Sequence, residues 1–333
     1  LPTIVFTYQG DGDLAAIGTA GLSACGEDDA DLTIGMVCIG DPATSTYDGN
    51  FKNALEATKN EYAAKGYKVK TKYKNAVGEE DNARAAAEEL AEDCDVVILD
   101  SYGHQFWGVD VAKAHTNVKF ISCTGDTAAV DKVPNFYNAF ANIYEGRYLA
   151  GIAAGMRLNA IGSDPSDHVL GYVAAWPYAE VISGYTAFYL GAKSVCPDVT
   201  MKYRVTSSWG ELERTAADAL MAAGCKVISQ HADTYGAPSA CELTRNNATP
   251  ICNVSYNVST NDQCPETYLC SSRINWTPYF KYLIQRVANG QFADYDWTGG
   301  LKEGSVIVGD LGKLAPEGTK EVMDEAKSKI IDG

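Results

Sequence analysis

Short apolar segments alternate with longer segments of helical hydrophobic spacing along most of the chain. Residues 96–99 (VVIL) form a wholly apolar run between acidic residues, which is typical of a strand buried on both faces. Residues 49–65 instead place Phe51, Leu55 and Tyr62 on one face of a helix. Strands that alternate with helices in this way predict parallel sheets built from strand–helix–strand units.

The predicted elements fall into two series that divide near residue 160. In the first series, strands and helices are predicted at residues 32–40, 49–65, 67–73, 82–93, 96–99, 118–122 and 145–157. In the second series, they are predicted at residues 169–175, 181–190, 200–205, 212–223, 226–230 and 239–245, before a late helix (278–289) and a late strand (304–308). Residues 1–31 match neither series, apart from a candidate strand at residues 4–8. Because 333 residues suffice for two lobes of ordinary domain size, we predict an α/β fold of two Rossmann-like lobes with parallel sheets.

Six short motifs lie in or beside these elements. They are Asp100-Ser-Tyr-Gly, Tyr144-Glu-Gly-Arg-Tyr-Leu-Ala-Gly, Gly171-Tyr-Val-Ala-Ala-Trp-Pro, Ser207-Ser-Trp, Gln230-His-Ala-Asp and Asn275-Trp-Thr-Pro-Tyr. In order and approximate spacing they resemble the basic membrane protein family of solute-binding proteins, the nucleoside- and purine-binding relatives of bacterial ABC importers. The resemblance covers roughly residues 32–312.

The resemblance implies a periplasmic-binding-protein type I fold, in which the chain crosses between two lobes more than once. Residues 32–160 would form lobe 1 together with residues 276–300, and residues 161–275 would form lobe 2. Residues 1–31 would be an N-terminal extension, and residues 301–333 a C-terminal segment. The resemblance also implies an extracytoplasmic protein that captures a purine base or nucleoside in an interlobe cleft, with an ABC importer permease as its partner.

Side chains suited to a flat ligand lie just past the predicted strands, where open α/β sheets bind their ligands. The candidate ligand-binding residues are Tyr47, Asp48, Ser101, Tyr102, Gly125, Trp176, Trp209, His231, Asp233, Tyr256 and Trp276. A heteroaromatic ring would stack on Trp or Tyr faces, and a carboxylate such as Asp48 or Asp233 would accept a hydrogen bond from the ligand. Structural alternatives stay open: Trp176 can cap the core of its lobe, Trp209 can pack at a hinge, and His231 can be a structural imidazole.

Motifs that indicate catalysis or a bound cofactor are missing from the sequence. No G-x-S-x-G elbow, Walker loop, complete G-x-G-x-x-G after a predicted strand, or H-E-x-x-H occurs. The four histidines are scattered and no C-x-x-C pair is present, so no metal site is predicted. We therefore expect a binding protein that is not an enzyme and uses no cofactor.

Ten cysteines and four N-x-S/T sequons suggest a secreted chain. The plausible disulfide pairs are Cys264–Cys270, Cys241–Cys252 and Cys196–Cys225. The alternative is that cysteines such as Cys38, Cys94 and Cys123 are buried thiols that act as small hydrophobic residues. The sequons, which matter only if the source glycosylates secreted proteins, begin at Asn247, Asn253, Asn257 and Asn275.

The net charge of −16 argues against nucleic acid or an anionic membrane as a partner, because both require a cationic surface. No apolar run reaches the length of a membrane span. The chain starts at Leu1 without a basic n-region, so we expect any signal peptide to have been removed. Leu22-Ser-Ala-Cys25-Gly resembles a lipobox, but the segment before it is too polar for a signal sequence. We expect a secreted, periplasmic or cell-surface protein.

A second function class stays open, in which the same fold is reused as a self-assembling extracellular structural subunit. It is motivated by residues 1–31, by the cysteines, and by an altered segment at residues 252–272, where the family has a short turn. A strand such as residues 4–8 could add to the sheet edge of a second copy.

Overall fold

The computed structural model describes residues 30–292 and 296–333, so the candidate strand at residues 4–8 lies outside the described part of the chain. The backbone contacts divide the chain into two units. Unit 1 contains the described residues up to Thr44, together with Asp48–Phe140 and Trp276–Thr298. Unit 2 contains Ser45–Tyr47, Ala141–Asn275 and Gly299–Gly333.

Strands and helices alternate through both units. The described strands are β1 (Leu32–Val37), β2 (Val69–Lys74), β3 (Val96–Leu99), β4 (Lys119–Ser122), β5 (Phe136–Ala141), β6 (Val169–Ala174), β7 (Thr200–Val205), β8 (Val227–His231), β9 (Cys252–Tyr256), β10 (Tyr268–Ile274), β11 (Asp296–Gly299) and β12 (Val306–Val308). The described helices are α1 (Thr46–Ala64), α2 (Asp81–Ala91), α3 (His104–Ala114), α4 (Thr127–Asp131), α5 (Ile143–Ile161), α6 (Ala179–Val195), α7 (Glu213–Ala222), α8 (Gly236–Glu242), α9 (Thr277–Ala288) and α10 (Thr319–Asp332).

Unit 1 is built on a six-stranded sheet of order β11-β5-β4-β3-β1-β2. The pairs β1–β2, β1–β3, β3–β4 and β4–β5 are parallel, as the alternating sequence pattern predicts. All four residues of β3 are buried, which explains why this strand is uniformly apolar. Leu99, Phe120 and Phe136 share one core cluster with buried alanines of α2.

Unit 2 is built on a second six-stranded sheet, of order β12-β10-β9-β8-β6-β7. The pairs β6–β7, β6–β8, β8–β9 and β9–β10 are parallel, and β10–β12 is antiparallel. Val173 and Ile228 of this sheet share a core cluster with Ala217 and Leu220 of α7. Both units therefore have the doubly wound arrangement in which ligands bind at the carboxyl ends of the strands.

Helices α5 and α6 approach each other very closely within unit 2. A Cβ atom on Gly191 would lie 1.9 Å from the carbonyl oxygen of Tyr148, and one on Gly151 would lie 2.1 Å from that of Phe188. The small residues of this helix pair are therefore required by the approach of two backbones. Because α5 packs on α6, residues 141–160 group with unit 2 and not with lobe 1, where the predicted boundary at residue 160 placed them.

The strand β9 and most of β10 lie within residues 252–272, which the sequence pattern presents as one long altered loop, and the two strands are parallel neighbours. Their apolar pattern is weak because polar side chains are buried in them. Asn253, for example, donates from Nδ2 to the carbonyl oxygen of Ile228 (3.1 Å) and to Gln230 Oε1 (3.1 Å). These hydrogen bonds replace the hydrophobic contacts by which a buried strand is normally recognised.

The nine cysteines of the described residues are all buried, and none of the three expected disulfides is present among them. Their thiols have other partners: Cys225 Sγ donates to the carbonyl oxygen of Leu170 (3.3 Å), and Cys241 Sγ donates to that of Cys252 (3.8 Å). The pairings were inferred from closeness in sequence, which does not set side-chain geometry. These cysteines act as small buried side chains, the alternative that the sequence left open.

Two of the four sequon asparagines cannot carry a glycan in the folded protein, because Asn253 is 0% exposed and Asn257 is 1% exposed. Asn247 is exposed in the segment after α8. Among the described residues, no helix combines the length and the apolar character that crossing a membrane requires.

Candidate functional site

The predicted site residues are divided between the two units. Unit 1 contains Asp48, Ser101, Tyr102, Gly125 and Trp276. Unit 2 contains Tyr47, Trp176, Trp209, His231, Asp233 and Tyr256.

In unit 1, two fully buried carboxyl groups organise the loop that follows β1. The backbone N–H of Gly40 donates to Asp48 Oδ1 (2.9 Å), and that of Ile39 donates to Asp100 Oδ1 (2.9 Å). Burial and the neighbouring Asp48 carboxylate raise the pKa of Asp100 well above its ordinary value. Asp100 therefore keeps its proton to a higher pH than an exposed carboxyl group would, and Asp48 braces the loop.

Ser101 and Gly125 shape loops of unit 1 instead of presenting free polar groups. The Ser101 hydroxyl donates to Glu79 Oε1 (2.6 Å), which also accepts from the backbone N–H of Gly103 (2.7 Å). The backbone N–H of Gly125 donates to Asn138 Oδ1 (2.7 Å). Of the predicted polar groups in unit 1, these two are thus committed to internal hydrogen bonds.

The two predicted aromatic side chains of unit 1 differ in their surroundings. Trp276 is 3% exposed, and its ring stacks on Phe51 with centroids 4.3 Å apart and planes 20° apart. Tyr102 is only half-buried, and its hydroxyl donates to Asp126 Oδ2 (3.3 Å). Trp276 therefore serves packing within unit 1, whereas Tyr102 keeps an accessible edge.

In unit 2, three aromatic side chains follow one another at the carboxyl ends of β6 and β7; we call Trp176, Tyr178 and Trp209 the aromatic row. Trp176 and Tyr178 are nearly parallel, with centroids 5.8 Å apart and planes 9° apart. Tyr178 and Trp209 lie 6.3 Å apart and are tilted by 53°. Sequence reasoning missed Tyr178, although it stands two residues after Trp176.

Both tryptophans of the aromatic row have an unused hydrogen-bond donor. The indole nitrogens Nε1 of Trp176 and Trp209 are buried and have no hydrogen-bond partner among the described residues. Buried polar groups are nearly always hydrogen-bonded, so each of these donors calls for an acceptor from outside the described residues. The carbonyl group of Trp209 is already used, since it accepts from the backbone N–H of Asp233 (2.7 Å).

The loop after β8 contacts the first residue of α1 within unit 2. The same loop is held by hydrogen bonds to a buried carboxyl group, that of Glu213. Thr46 Oγ1 donates to the carbonyl oxygen of Asp233 (3.0 Å), which brings the half-buried Tyr47 to this loop. Glu213 Oε2 accepts from the Thr234 hydroxyl (2.7 Å), and Oε1 accepts from the backbone N–H of Ala237 (2.9 Å). Burial raises the pKa of Glu213 to about 7, although these hydrogen bonds act in the opposite direction.

His231 and Tyr256 are partners of a buried arginine that sequence reasoning missed. Arg147 is 0% exposed; its Nη2 donates to the carbonyl oxygen of Gln230 (2.8 Å), and its guanidinium lies 4.3 Å from the Tyr256 ring centre. Burial and the Arg147 charge hold the pKa of His231 well below its ordinary value, so the imidazole is neutral. The signal in the sequence is that Arg147 is the one charged residue in the small, apolar stretch 146–156.

Glu180, in the first turn of α6, adds a carboxyl group to this cluster. Its Oε1 lies 3.8 Å from His231 Nε2. Burial raises the pKa of Glu180 to about 7, and the Arg147 charge lowers it. His231 and Tyr256 are 2% and 3% exposed, so the structure places both in a buried polar cluster with Arg147.

Comparison with known proteins identifies the family and the fold. The profile of the Bmp family, described as ABC transporter substrate-binding protein PnrA-like, matches residues 34–333. Among solved structures, an ABC transporter solute-binding protein from Aeropyrum pernix superposes with a TM-score of 0.72 at 16% identity, covering 91% of this chain and 92% of that chain. This likeness confirms the predicted periplasmic-binding-protein type I fold.

Two relatives are similar in sequence over most of the chain. A purine-binding protein of Brucella abortus is 28% identical over 309 residues, which are 91% of this chain and 81% of that protein. A protein of Haloferax volcanii named as an ABC transporter glucose-binding protein is 31% identical over 267 residues, or 79% of this chain. The chain spans 64% of the length of the Haloferax protein.

Proposed function

The chain belongs to the Bmp family of PnrA-like ABC transporter substrate-binding proteins, and from this premise we propose that it captures a purine base or nucleoside outside the cytoplasm for an ABC importer. The family match confirms the resemblance carried by the six sequence motifs. Because the family is one of binding proteins, capture and release of a small molecule is the expected chemistry, with no bond made or broken.

The observation that carries the ligand class is the aromatic row with its two orphan indole donors. A purine presents a flat π-face together with ring nitrogens that accept hydrogen bonds. It can therefore stack on one aromatic ring while it accepts from an indole N–H, and each stacked pair contributes about 0.5–1.5 kcal/mol beyond area burial. The purine-binding relative from Brucella supports the same class.

In this proposal the other candidate residues have distinct roles. Trp176 and Trp209 contact the ligand directly, and Tyr178 holds the two tryptophans in place. Asp233 and Tyr47 flank the row, since Thr46 donates to the carbonyl oxygen of Asp233 (3.0 Å). The orientation of the ligand would come from a few such polar groups, while the aromatic faces supply most of the affinity.

The test is a thermal-shift screen of the full chain with adenine, guanine, adenosine, guanosine and D-glucose. We expect purines to raise the melting temperature in a concentration-dependent way, because a ligand that binds only the folded state stabilises it. The shift should be lost in Trp176→Leu and kept in Tyr203→Leu, a matched change of an aromatic side chain that is 55% exposed on β7. Stabilisation by D-glucose with none by any purine would overturn the purine proposal while leaving the family intact.

A further inference from the structure

Three side chains with metal-ligating atoms meet at the amino-terminal ends of β6 and β7. They are His168, Cys196 and Asp198, whose ligand atoms all lie within 4.8 Å of one another. Asp198 Oδ1 lies 2.7 Å from His168 Nδ1 and 3.4 Å from Cys196 Sγ. This cluster lies at the opposite end of the unit 2 sheet from the aromatic row, so ligand capture does not explain it.

The backbone fixes two of the three residues. The backbone N–H of Thr200 donates to the carbonyl oxygen of His168 (2.9 Å), and that of Val199 donates to the carbonyl oxygen of Cys196 (3.1 Å). His168 is 4% exposed and Cys196 is 0% exposed, whereas 43% of the Asp198 side chain is exposed. The cluster is thus a preformed pair of ligands with a carboxylate at its mouth, through which an ion can enter.

The hydrogen bonds of His168 leave its Nδ1 atom facing a carboxylate. His168 Nε2 lies 2.8 Å from the carbonyl oxygen of Gly162, which can only accept, so Nε2 carries the proton. Nδ1 lies 2.7 Å from Asp198 Oδ1, which accepts its hydrogen when the imidazole is protonated, so that without a metal the two side chains form an ion pair. A metal ion would take the place of that proton between Nδ1 and Asp198 Oδ1. Histidines that bind metals through one nitrogen commonly donate from the other to a backbone carbonyl, as Nε2 does here.

We propose that His168, Cys196 and Asp198 bind one zinc ion, with water as the fourth ligand. Imidazole nitrogen, thiolate sulfur and carboxylate oxygen are the donors that zinc takes in proteins, and three protein ligands with one open position are a common arrangement. Tetrahedral bonds of about 2.0–2.3 Å separate ligand atoms by about 3.3–3.6 Å. The Cys196–Asp198 distance of 3.4 Å already fits, and the exposed carboxylate has to turn only slightly away from His168.

Zinc binding at this place would join two loops of unit 2. His168 lies at the end of the loop that leaves α5, and Cys196 and Asp198 lie in the turn between α6 and β7. Zinc binds cysteine as the thiolate, so binding displaces the Cys196 thiol proton and releases it to solvent. The sequence hides the site because His168 is 28 positions before Cys196, and only the pairing of β6 with β7 brings them together.

The experiment is a titration of the chelator-treated full chain with cobalt(II) chloride, followed by zinc chloride. We expect a thiolate-to-cobalt charge-transfer band that saturates at one equivalent and disappears when zinc replaces cobalt. The band should be lost in Cys196→Ser and kept in Cys225→Ser, which removes another buried thiol of unit 2. Asp198→Asn and His168→Ala should each weaken zinc binding by at least about 10–100-fold. That is the loss of affinity caused by removing an outer-shell partner, and removing a direct ligand should cost no less.

The proposal is overturned if the wild-type chain shows no such band, or if the band persists in Cys196→Ser. The first result would leave His168 and Asp198 as a simple ion pair, and the second would place the metal on other residues. Because Asp198 is exposed, Asp198→Asn is expected to fold, and far-UV circular dichroism checks each variant. Asp167→Asn is the matched carboxylate control, since Asp167 pairs with Lys226 (3.1 Å) and should not affect the metal.

Discussion

The guanidinium of Arg147 lies 4.3 Å from the centre of the Tyr256 ring, and both side chains are buried in unit 2. The same guanidinium donates to the carbonyl oxygen of Gln230 (2.8 Å) and to Ser229 Oγ (3.4 Å). One side chain of α5 therefore connects the carboxyl ends of β8 and β9. This contact explains why two predicted ligand residues, His231 and Tyr256, are buried.

Replacing Arg147 with methionine should destabilise unit 2. The change removes a cation–π contact and hydrogen bonds from a buried charge, so we expect a loss of about 2–4 kcal/mol in the free energy of unfolding. Urea denaturation measures this loss. Arg214→Met is the control, because Arg214 pairs with Asp218 on the surface (3.1 Å) and should cost less than about 1 kcal/mol. Equal losses in the two variants would contradict the role assigned to Arg147.

Glu213 should make the stability of the protein fall as the pH rises towards neutrality. Burial raises the pKa of this carboxyl group, which is 1% exposed, to about 7 from its ordinary 4.5. The folded state thus binds the proton more tightly than the unfolded chain does. The stability that this group contributes is complete below the ordinary pKa and is lost as the pH rises through about 7.

We therefore expect the free energy of unfolding of the wild type, relative to Glu213→Gln, to fall by about 2–3 kcal/mol from about pH 4.5 to about pH 8. Chemical denaturation across this range measures the difference. Glu211→Gln changes an exposed carboxyl two positions away and should keep the wild-type slope. If the free energies of unfolding of the wild type and of Glu213→Gln changed with pH in parallel, burial would not hold the proton on the Glu213 carboxyl group.

Adding one methyl group between α5 and α6 should be costly. A Cβ atom on Gly191 would lie 1.9 Å from the carbonyl oxygen of Tyr148, so the helices must separate in Gly191→Ala. We expect a loss of about 1–3 kcal/mol, measured as a lower melting temperature. Gly162→Ala provides the comparison, because a Cβ atom there meets nothing within 4 Å. Similar melting temperatures for the two variants would mean that the helices are not packed as closely as described.

Reducing agents should not destabilise the described fold, because none of the three disulfides suggested by the sequence is present in it. We expect the same melting temperature with and without dithiothreitol. Burial raises the pKa of the Cys225 thiol to about 11, so its alkylation should be slow in the folded protein and fast after unfolding. A clear drop in melting temperature on reduction would contradict this prediction and would support the disulfides suggested by the sequence.

The sequence predicts the strands and helices whose pattern of apolar and polar residues directly reflects which side chains are buried. The VVIL run is β3 at the predicted residues, because four buried apolar positions have no other explanation. Residues 200–205 are β7, also at the predicted bounds. The strands β9 and β10 escape prediction because buried Asn253, Ser255 and Ser271 satisfy their polar groups through hydrogen bonds that sequence does not display.

The candidate site is predictable only as a set of loops. The alternating pattern predicts which residues follow the strands, but the neighbours of those residues depend on the pairing order of the strands. Arg147 is far from Tyr256 in sequence and meets it only through the packing of α5 on the sheet. His168 and Cys196 are hidden for the same reason, which is why scattered histidines suggest no metal site.

The most direct test of the account is calorimetric titration of the full chain with adenine, a purine base that presents ring acceptors and carries no sugar. We expect one adenine to bind to the wild type, and the affinity to fall at least tenfold in Trp176→Leu, because a stacking face and an indole donor are lost together. Binding that is unchanged in Trp176→Leu would contradict the assignment of the aromatic row as the ligand site. Absence of binding by adenine and by every purine of the screen would contradict the proposed ligand class.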